Sequence, residues 1–368
     1  MKILHLLSGG GIGGIEVLCR DIAKLSQEQN EFCFLYDGGE IAEEMKRQNI
    51  PVYFYYKENL LNRALKLFQL VKKKQYDVVV VHHEGAGIYS FYLMLLYCFK
   101  KVRFIKYLHC SYEEKYFYQG HVLKDRINYR ILKKTLTKSD HLVAVSEFVK
   151  QSYCREFGCD PDKVKVIYNG IKILQNTDRK ERIQGKNESV RLLYIGRLIE
   201  VKGVHLLLHA VKKLLDLGEN IELDILGDGP MRFEYENLTK NLGMGEIVHF
   251  QGYTMEKQKF YEQAKIFVYP SVWQEAFGIS IVEAMNQEML CVASDAGGIP
   301  EIIDEGKDGF LFQNGDIDNL TETLLRAINC SRSQKYWEMT AAAKQKSLKF
   351  DINNMIDELQ KVYQSESF

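Results

Sequence analysis

The eight cysteines of this 368-residue chain include no Cys-x-x-Cys pair, which argues against a zinc knuckle and against a disulfide framework. Scattered thiols of this kind suit a reducing compartment, and the expected location is cytoplasmic. Net charge is absent too: 49 Lys and Arg face 49 Asp and Glu, so no global field draws nucleic acid. No apolar run reaches the roughly 20 residues a spanning helix requires, so any membrane contact is expected to be peripheral. Neither internal repeats nor low-complexity tracts are found. Met1-Lys2-Ile3-Leu4-His5 runs directly into a strand pattern, and no signal peptide is expected. What remains is a globular composition, 46% hydrophobic and 27% charged, long enough for two domains with separate cores.

The most informative stretch is Gln274 to Ala284. The apolar run Lys265 to Pro270 before it reads as a buried strand closed by proline. Phe277 to Met289 has helical periodicity, with Gly278 permitting close backbone approach where the helix begins. Glu275 then lies in the connecting loop, and Glu283 lies eight positions on, within the helix. Free N–H groups at a helix N-terminus attract phosphate, and carboxylates beside a phosphate seat suit sugar or ribose hydroxyls. A glutamate that favours the helix dipole and a solvated second glutamate would produce the same pattern.

In chain order, Lys2–Leu7 reads as a strand, followed by the glycine loop Ser8 to Gly14 and a helix from Ile15 to Gln29. The loop matches G-x-G-x-x-G at Gly9, Gly11 and Gly14, so a dinucleotide site of an NAD-dependent oxidoreductase is one reading, with Asp37 as its late acidic residue. Strands and helices then alternate with short connections, which implies a parallel sheet covered by helices. His109 ends the strand Val102–Leu108, where a side chain points to the ligand side of such a sheet. His109-Cys110 also raises a Cys/His nucleophile, though no third, orienting group is visible. Residues 60–138 carry sixteen Lys and Arg against five Asp and Glu, interleaved with Tyr, Phe and Leu. That excess reads either as solvated helix faces or as docking on an anionic leaflet.

Residues 171–189 are polar and aperiodic and read as a linker, separating an N-terminal domain (1–170) from a second alternating series (190–350). There, Leu192–Ile195 is a strand ending in Gly196-Arg197, and Lys202-Gly203 opens a helix. A guanidinium fork and an ammonium point charge at a strand end can hold a diphosphate. Gly227-Asp228-Gly229-Pro230 is a tight turn. Ile352–Tyr363 is a last amphipathic helix.

Glu275-x-Phe277-Gly278 followed by Glu283 resembles the two-glutamate signature of the retaining family 4 glycosyltransferases, which have the GT-B fold. Gly196-Arg197-Leu198 with Val201-Lys202-Gly203 is similar to that family's diphosphate clamp. The Gly-Asp-Gly-Pro turn, the Gly13-Gly14-Ile15-Glu16 exit, Val145-Ser146-Glu147 and Ala296-Gly297-Gly298 continue the likeness. His109 matches the family's active-site histidine, although the family's His-Asp or His-Gly is here His-Cys. The resemblance implies an α/β chain of two Rossmann-like domains with parallel sheets facing across a cleft, the last helix (351–368) packing back on the first. It implies a retaining transfer of a hexose from a nucleotide-diphosphate sugar, UDP- or GDP-linked. The basic, aromatic first domain favours a glycan or polyprenyl-diphosphate-linked acceptor, as in capsule, exopolysaccharide or cell-wall assembly, at the inner face of the plasma membrane. His109, Glu275, Arg197 and Lys202 would be catalytic. Gly11, Gly13, Gly14, Asp228, Phe277, Gly278, Ile279 and Glu283 would bind the donor, without metal or other cofactor. A sugar-nucleotide epimerase of the same fold and a non-catalytic partner subunit are the alternatives.

Overall fold

The computed structural model describes residues 1–82, 86–112, 122–174, 188–254 and 256–365. Two compact units divide them: residues 1–170 with 353–368, and residues 171–352.

In the first unit the strands are β1 (Lys2–Leu7), β2 (Gln29–Phe34), β3 (Val52–Phe54), β4 (Val78–Val81), β5 (Arg103–Leu108), β6 (His141–Ala144) and β7 (Val164–Val166). The helices are α1 (Gly14–Leu25), α2 (Glu40–Arg47), α3 (Leu60–Lys74), α4 (Ala86–Cys98), α5 (Val122–Lys138) and α6 (Glu147–Phe157). All seven strands run parallel in the order β3-β2-β1-β4-β5-β6-β7. A parallel sheet covered on both faces tolerates unbroken apolar strands, and Val78–Val81 is entirely buried. The two cores alternate along β2. Phe32 and Phe34 join Leu7, Cys19 and Ile41, whereas Cys33 joins Leu4, Leu6 and Val79 on the other face. Local signals set the helices: Asn59 caps α3 through Asn62 N–H, Ser146 caps α6 through Val149 N–H, and Gly158 closes α6 in the left-handed conformation.

The second unit holds β8 (Val190–Ile195), β9 (Ile221–Leu226), β10 (Val248–Gly252), β11 (Ile266–Tyr269), β12 (Leu290–Ser294) and β13 (Gly309–Phe312). Its helices are α7 (Val204–Asp216), α8 (Arg232–Asn241), α9 (Gln258–Gln263), α10 (Ile279–Asn286), α11 (Ile317–Ser331) and α12 (Lys335–Ser347). The sheet is again parallel, in the order β10-β9-β8-β11-β12-β13. One large core joins Leu192, Leu223, Ile266 and Val292 to Leu207, Val211, Leu324 and Ile328. The final helix, α13 (Ile352–Gln364), lies with the first unit, where the Gly170 N–H meets Met355 Sδ at 3.2 Å and Ser365 Oγ lies 3.0 Å from His141 Nε2.

Several boundaries differ from the sequence reading. The first helix ends at Leu25, not Gln29, because Gln29 already pairs with Lys2 in the sheet. The helix expected from Phe277 to Met289 is only Ile279–Asn286, as Glu288 takes φ +56° and the Met289 N–H turns back onto the Ala284 carbonyl. Of the expected linker, residues 175–187 lie outside the described residues; Leu174 donates its N–H to Asn286 Oδ1 at 2.9 Å. Within the basic stretch, 83–85 and 113–121 likewise lie outside them. Among the described residues no helix is long and apolar enough to cross a membrane.

Candidate active site

The C-terminal ends of β8 and β11 are tied together by backbone. Val272 and Trp273 donate their N–H groups to the Val201 carbonyl at 3.0 and 3.2 Å. Gly203, between Lys202 and α7, sits at φ +68°, and a Cβ there would collide with the Pro270 carbonyl. Only glycine allows both that conformation and that approach. The result sets Lys202 beside Glu275. Lys202 Nζ donates to Glu275 Oε1 at 2.6 Å and to the Tyr269 hydroxyl at 3.1 Å, and Ser271 Oγ donates to the same carboxylate oxygen. The ion pair is almost sealed, its side chains 15% and 11% exposed. The Glu275 backbone is braced from β12's exit loop, where Gly298 N–H donates to the Glu275 carbonyl at 2.7 Å.

Tyr269 is fully enclosed. Burial, and then the charge of Glu275, push its phenol well above the ordinary range, so it stays neutral and serves as a hydrogen-bonding group. It also lies within reach of Ser280 in the first turn of α10 and feels the positive charge of Arg197. Arg197 itself is exposed, and its carbonyl accepts from the Tyr194 hydroxyl at 3.1 Å. One cluster therefore gathers Arg197, Lys202, Tyr269, Ser271 and Glu275 near the start of α10. Gly278 precedes that helix at φ +123°, and no side chain caps it.

The other expected residues are placed differently. Glu283, the fifth residue of α10, accepts from Lys257 Nζ at 3.0 Å and from the Tyr261 hydroxyl at 3.1 Å. It shares no hydrogen bond with Glu275, so the two carboxylates belong to separate clusters. The Phe277 ring is buried and packs edge-on against Phe350, which leaves its backbone as the part able to face a ligand. Ile279 is the first residue of α10 and half-buried. Asp228 accepts from Gly229 N–H at 2.8 Å and from Arg232 at 3.3 Å, a turn-forming arrangement.

In the first unit, Gly13 is the N-cap of α1, Gly14 its first residue, and Gly11 stands in open space. The Glu16 carboxylate folds back over this N-terminus, since a Cβ on Gly13 would collide with it. A resident anion there works against a dinucleotide pyrophosphate, which the NAD reading required. His109 Nε2 lies 3.0 Å from His82 Nδ1, and His82 Nε2 lies 2.8 Å from His5 Nδ1, a chain that sequence spacing does not reveal. One partner of His109 is thus an imidazole, and Cys110 next to it in sequence is half-buried.

Among the described residues no group of three His, Cys, Asp or Glu could hold a metal ion. The sequence contains two Asp-x-Asp pairs, Asp160-Pro161-Asp162 and Asp316-Ile317-Asp318, where a metal-independent site was expected to have none. Asp160 and Asp316 are both helix N-caps, a structural use of the carboxylate. Part of the basic excess is structural as well. Arg63 donates to the carbonyls of Tyr55, Tyr56 and Glu58, and Lys106 is fully buried.

Two family models match this chain, "Glycosyltransferase Family 4" over residues 12–173 and "Glycosyl transferases group 1" over residues 176–346. An uncharacterized glycosyltransferase of Methanocaldococcus jannaschii is 32% identical over 237 residues, 61% of this chain and 60% of that protein. The phosphatidylinositol N-acetylglucosaminyltransferase GPI3 subunit of Saccharomyces cerevisiae is 29% identical over 213 residues, 56% of this chain and 46% of the yeast protein. The matches thus span less than two thirds of either relative. Among solved structures, Anabaena HepE in complex with UDP superposes with a TM-score of 0.85 at 22% identity, covering 100% of both chains; the same protein is also solved with UDP-glucose. With two parallel α/β sheets in the GT-B arrangement and family matches running almost unbroken from residue 12 to residue 346, this chain belongs to the family 4, group 1 glycosyltransferases.

Proposed function

We propose that the chain transfers a hexose from UDP-sugar to a lipid-linked glycan acceptor, with retention of configuration and without a metal ion. The observation that carries this reading is the sealed Lys202–Glu275 pair at the joined ends of β8 and β11, with Arg197 nearby and α10 starting alongside. Departure of a nucleoside diphosphate leaves negative charge on the phosphates and positive charge on the sugar ring. The Arg197 fork, the Lys202 ammonium and the free N–H groups at the start of α10 answer the first. Glu275, held by Ser271, answers the second and accepts sugar hydroxyls when Lys202 turns to the phosphates. Glu283 takes the ribose hydroxyls, exchanging them for Lys257 and Tyr261. Asp228, Phe277, Gly278 and Ile279 line the donor through backbone or turn geometry, whereas the Glu16 carboxylate over Gly13 sets the Gly11, Gly13 and Gly14 loop against holding a diphosphate. His109, in the first unit, takes a hydroxyl of the reacting groups.

UDP is preferred over GDP because the Anabaena fold-mate is solved with UDP and UDP-glucose. A lipid acceptor is suggested by the yeast relative, whose name places its transfer on phosphatidylinositol. It also suits α3, which exposes Leu60, Leu61 and Leu65 together with Lys72 and Lys73. Such a face can rest on an anionic leaflet at the cytoplasmic side of the plasma membrane, where capsule, exopolysaccharide and cell-wall precursors carry polyprenyl diphosphate. The test is a thermal-shift screen with UDP, GDP, ADP and NAD, followed by NMR of the product's anomeric centre after incubation with chelator. Stabilisation by UDP that Arg197→Ala abolishes, and a retained anomer formed in chelator, are expected. Stabilisation by NAD alone would overturn the reading, and product formed only with added metal would remove its metal-independent part.

A further inference from the structure

One polar chain crosses four adjacent strands of the first unit. Asn30 comes from β2, His5 from β1, His82 from the end of β4 and His109 from the end of β5. The links are Asn30 Oδ1 to His5 Nε2 at 2.9 Å, His5 Nδ1 to His82 Nε2 at 2.8 Å, and His82 Nδ1 to His109 Nε2 at 3.0 Å. His5 and His82 are fully buried, and His5 is stacked on Phe32 with ring centres 4.7 Å apart. Tyr107 flanks the outer part of the chain, its ring centre 4.3 Å from that of His109.

The hydrogens along this chain follow from its inner end. Asn30 Nδ2 donates to the Glu28 carbonyl at 3.1 Å, which turns Oδ1 toward His5. An amide oxygen only accepts, so His5 Nε2 must carry hydrogen. Burial drives the His5 imidazole down to about 4, so at neutral pH it holds no second proton and Nδ1 is an acceptor. His82 therefore donates from Nε2. With its one hydrogen on Nε2, His82 accepts at Nδ1 from His109 Nε2–H.

We infer that Asn30, His5 and His82 are positioning residues that hold His109 as the Nε2–H tautomer, which makes Nδ1 its hydrogen-accepting atom in transfer. The tautomer stands on the hydrogen-bond geometry together with the uncharged state of the buried His5; its use in transfer rests on the function proposed above. A ring held this way accepts a hydroxyl hydrogen without first having to choose a tautomer. The arrangement also explains three histidines in line where an apolar core would otherwise serve.

The test is NMR of the full chain carrying ¹⁵N-labelled imidazoles, with His109 assigned by loss of its signals in His109→Gln. The wild type should show His109 protonated at Nε2. His82→Leu removes the acceptor and should let both tautomers of His109 populate. It should lower kcat about tenfold, roughly one hydrogen bond's worth, with KM for UDP-sugar little changed. His82→Gln can donate to His5 and accept from His109, and should restore both readouts. Should His82→Leu fail to fold, the glutamine variant and the wild-type tautomer still decide. An Nδ1–H His109 in the wild type, or a tautomer unmoved in His82→Leu, overturns the inference. A wild type with the expected tautomer that transfers no sugar overturns the proposed function instead.

Discussion

Replacing Glu275 by glutamine removes the negative partner that Lys202 holds at 2.6 Å while keeping the side chain's size and its hydrogen bond to Ser271. At that separation and an effective dielectric of about 20, the gross attraction is about 6 kcal/mol. Desolvation of two groups this enclosed offsets most of it, leaving a net of about 1.5–3 kcal/mol, as for other hydrogen bonds between charged groups. A diphosphate that recruits Lys202 has to share or displace that interaction, and it also approaches a carboxylate of its own sign. Glu275→Gln should therefore bind UDP about tenfold more tightly by titration calorimetry, the equivalent of about 1.4 kcal/mol. Sugar transfer should fall at least about a hundredfold, since the anion that faces the developing positive ring is lost. The two effects moving in opposite directions is the diagnostic result. Tenfold weaker UDP binding in Glu275→Gln would refute the reasoning, because it would mean the carboxylate holds Lys202 ready for phosphate instead of competing with it.

Gly203→Ala places a side chain at φ +68° against the Pro270 carbonyl. We expect a loss of at least about 2 kcal/mol, read as a Tm drop of about 4–8 °C, and an unchanged Tm would show that the two loops part freely. Glu283→Gln should weaken UDP binding about tenfold, as expected for a hydrogen bond to a charged group, while leaving 2′,3′-dideoxy-UDP unaffected; equal losses for both ligands would remove Glu283 from the ribose. The imidazole of His5 titrates near 6.5 when unfolded and at about 4 when native. Between those values the unfolded chain binds a proton that the native chain refuses. The contribution to stability is thus complete above pH 6.5, shrinks as pH falls, and levels off below 4 after a loss of about 3 kcal/mol. Hydrogen exchange of the β1 amides at pH 7.5 and 4.5 should show this loss, and His5→Gln should flatten it; a slope unaltered in His5→Gln would assign the acid sensitivity elsewhere.

The parallel sheets were legible because buried parallel strands are continuous apolar runs, as at Val78–Val81 and Ile266–Tyr269. Arg197, Lys202 and Glu275 stood out by local motif, and the structure brings them into one cluster. Tyr269 and Ser271 were missed, although both lie within six residues of Glu275, because a tyrosine ending a β-rich run reads first as a strand former. The partners of Glu283 lie 26 and 22 residues upstream in α9 and its approach, a helix too short to show periodicity. Among the other elements that escaped, α2 is only eight residues long and β12 follows α10 with just three residues between, whereas α5 and α12 are full-length helices. The histidine chain was beyond reach, since His5 and His82 are 77 positions apart and meet only once β1 and β4 are placed side by side.

The division of the chain has a consequence for biogenesis. The second unit is one continuous run of about 180 residues, whereas the first needs residues 353–368 to join residues 1–170. During translation at about 5–20 residues per second, the first sheet waits about 10–40 s for α13 to arrive. Through that interval the surfaces that Met355, Leu359 and Tyr363 bury in the finished protein stand uncovered, while the inserted unit already has every strand it needs. The second unit is thus built to mature first, and the histidine-bearing host around it is sealed last. A ribosome that stalls late in the message would release a folded second unit joined to an open, adhesive partner, which makes the closing helix a natural checkpoint for chaperones.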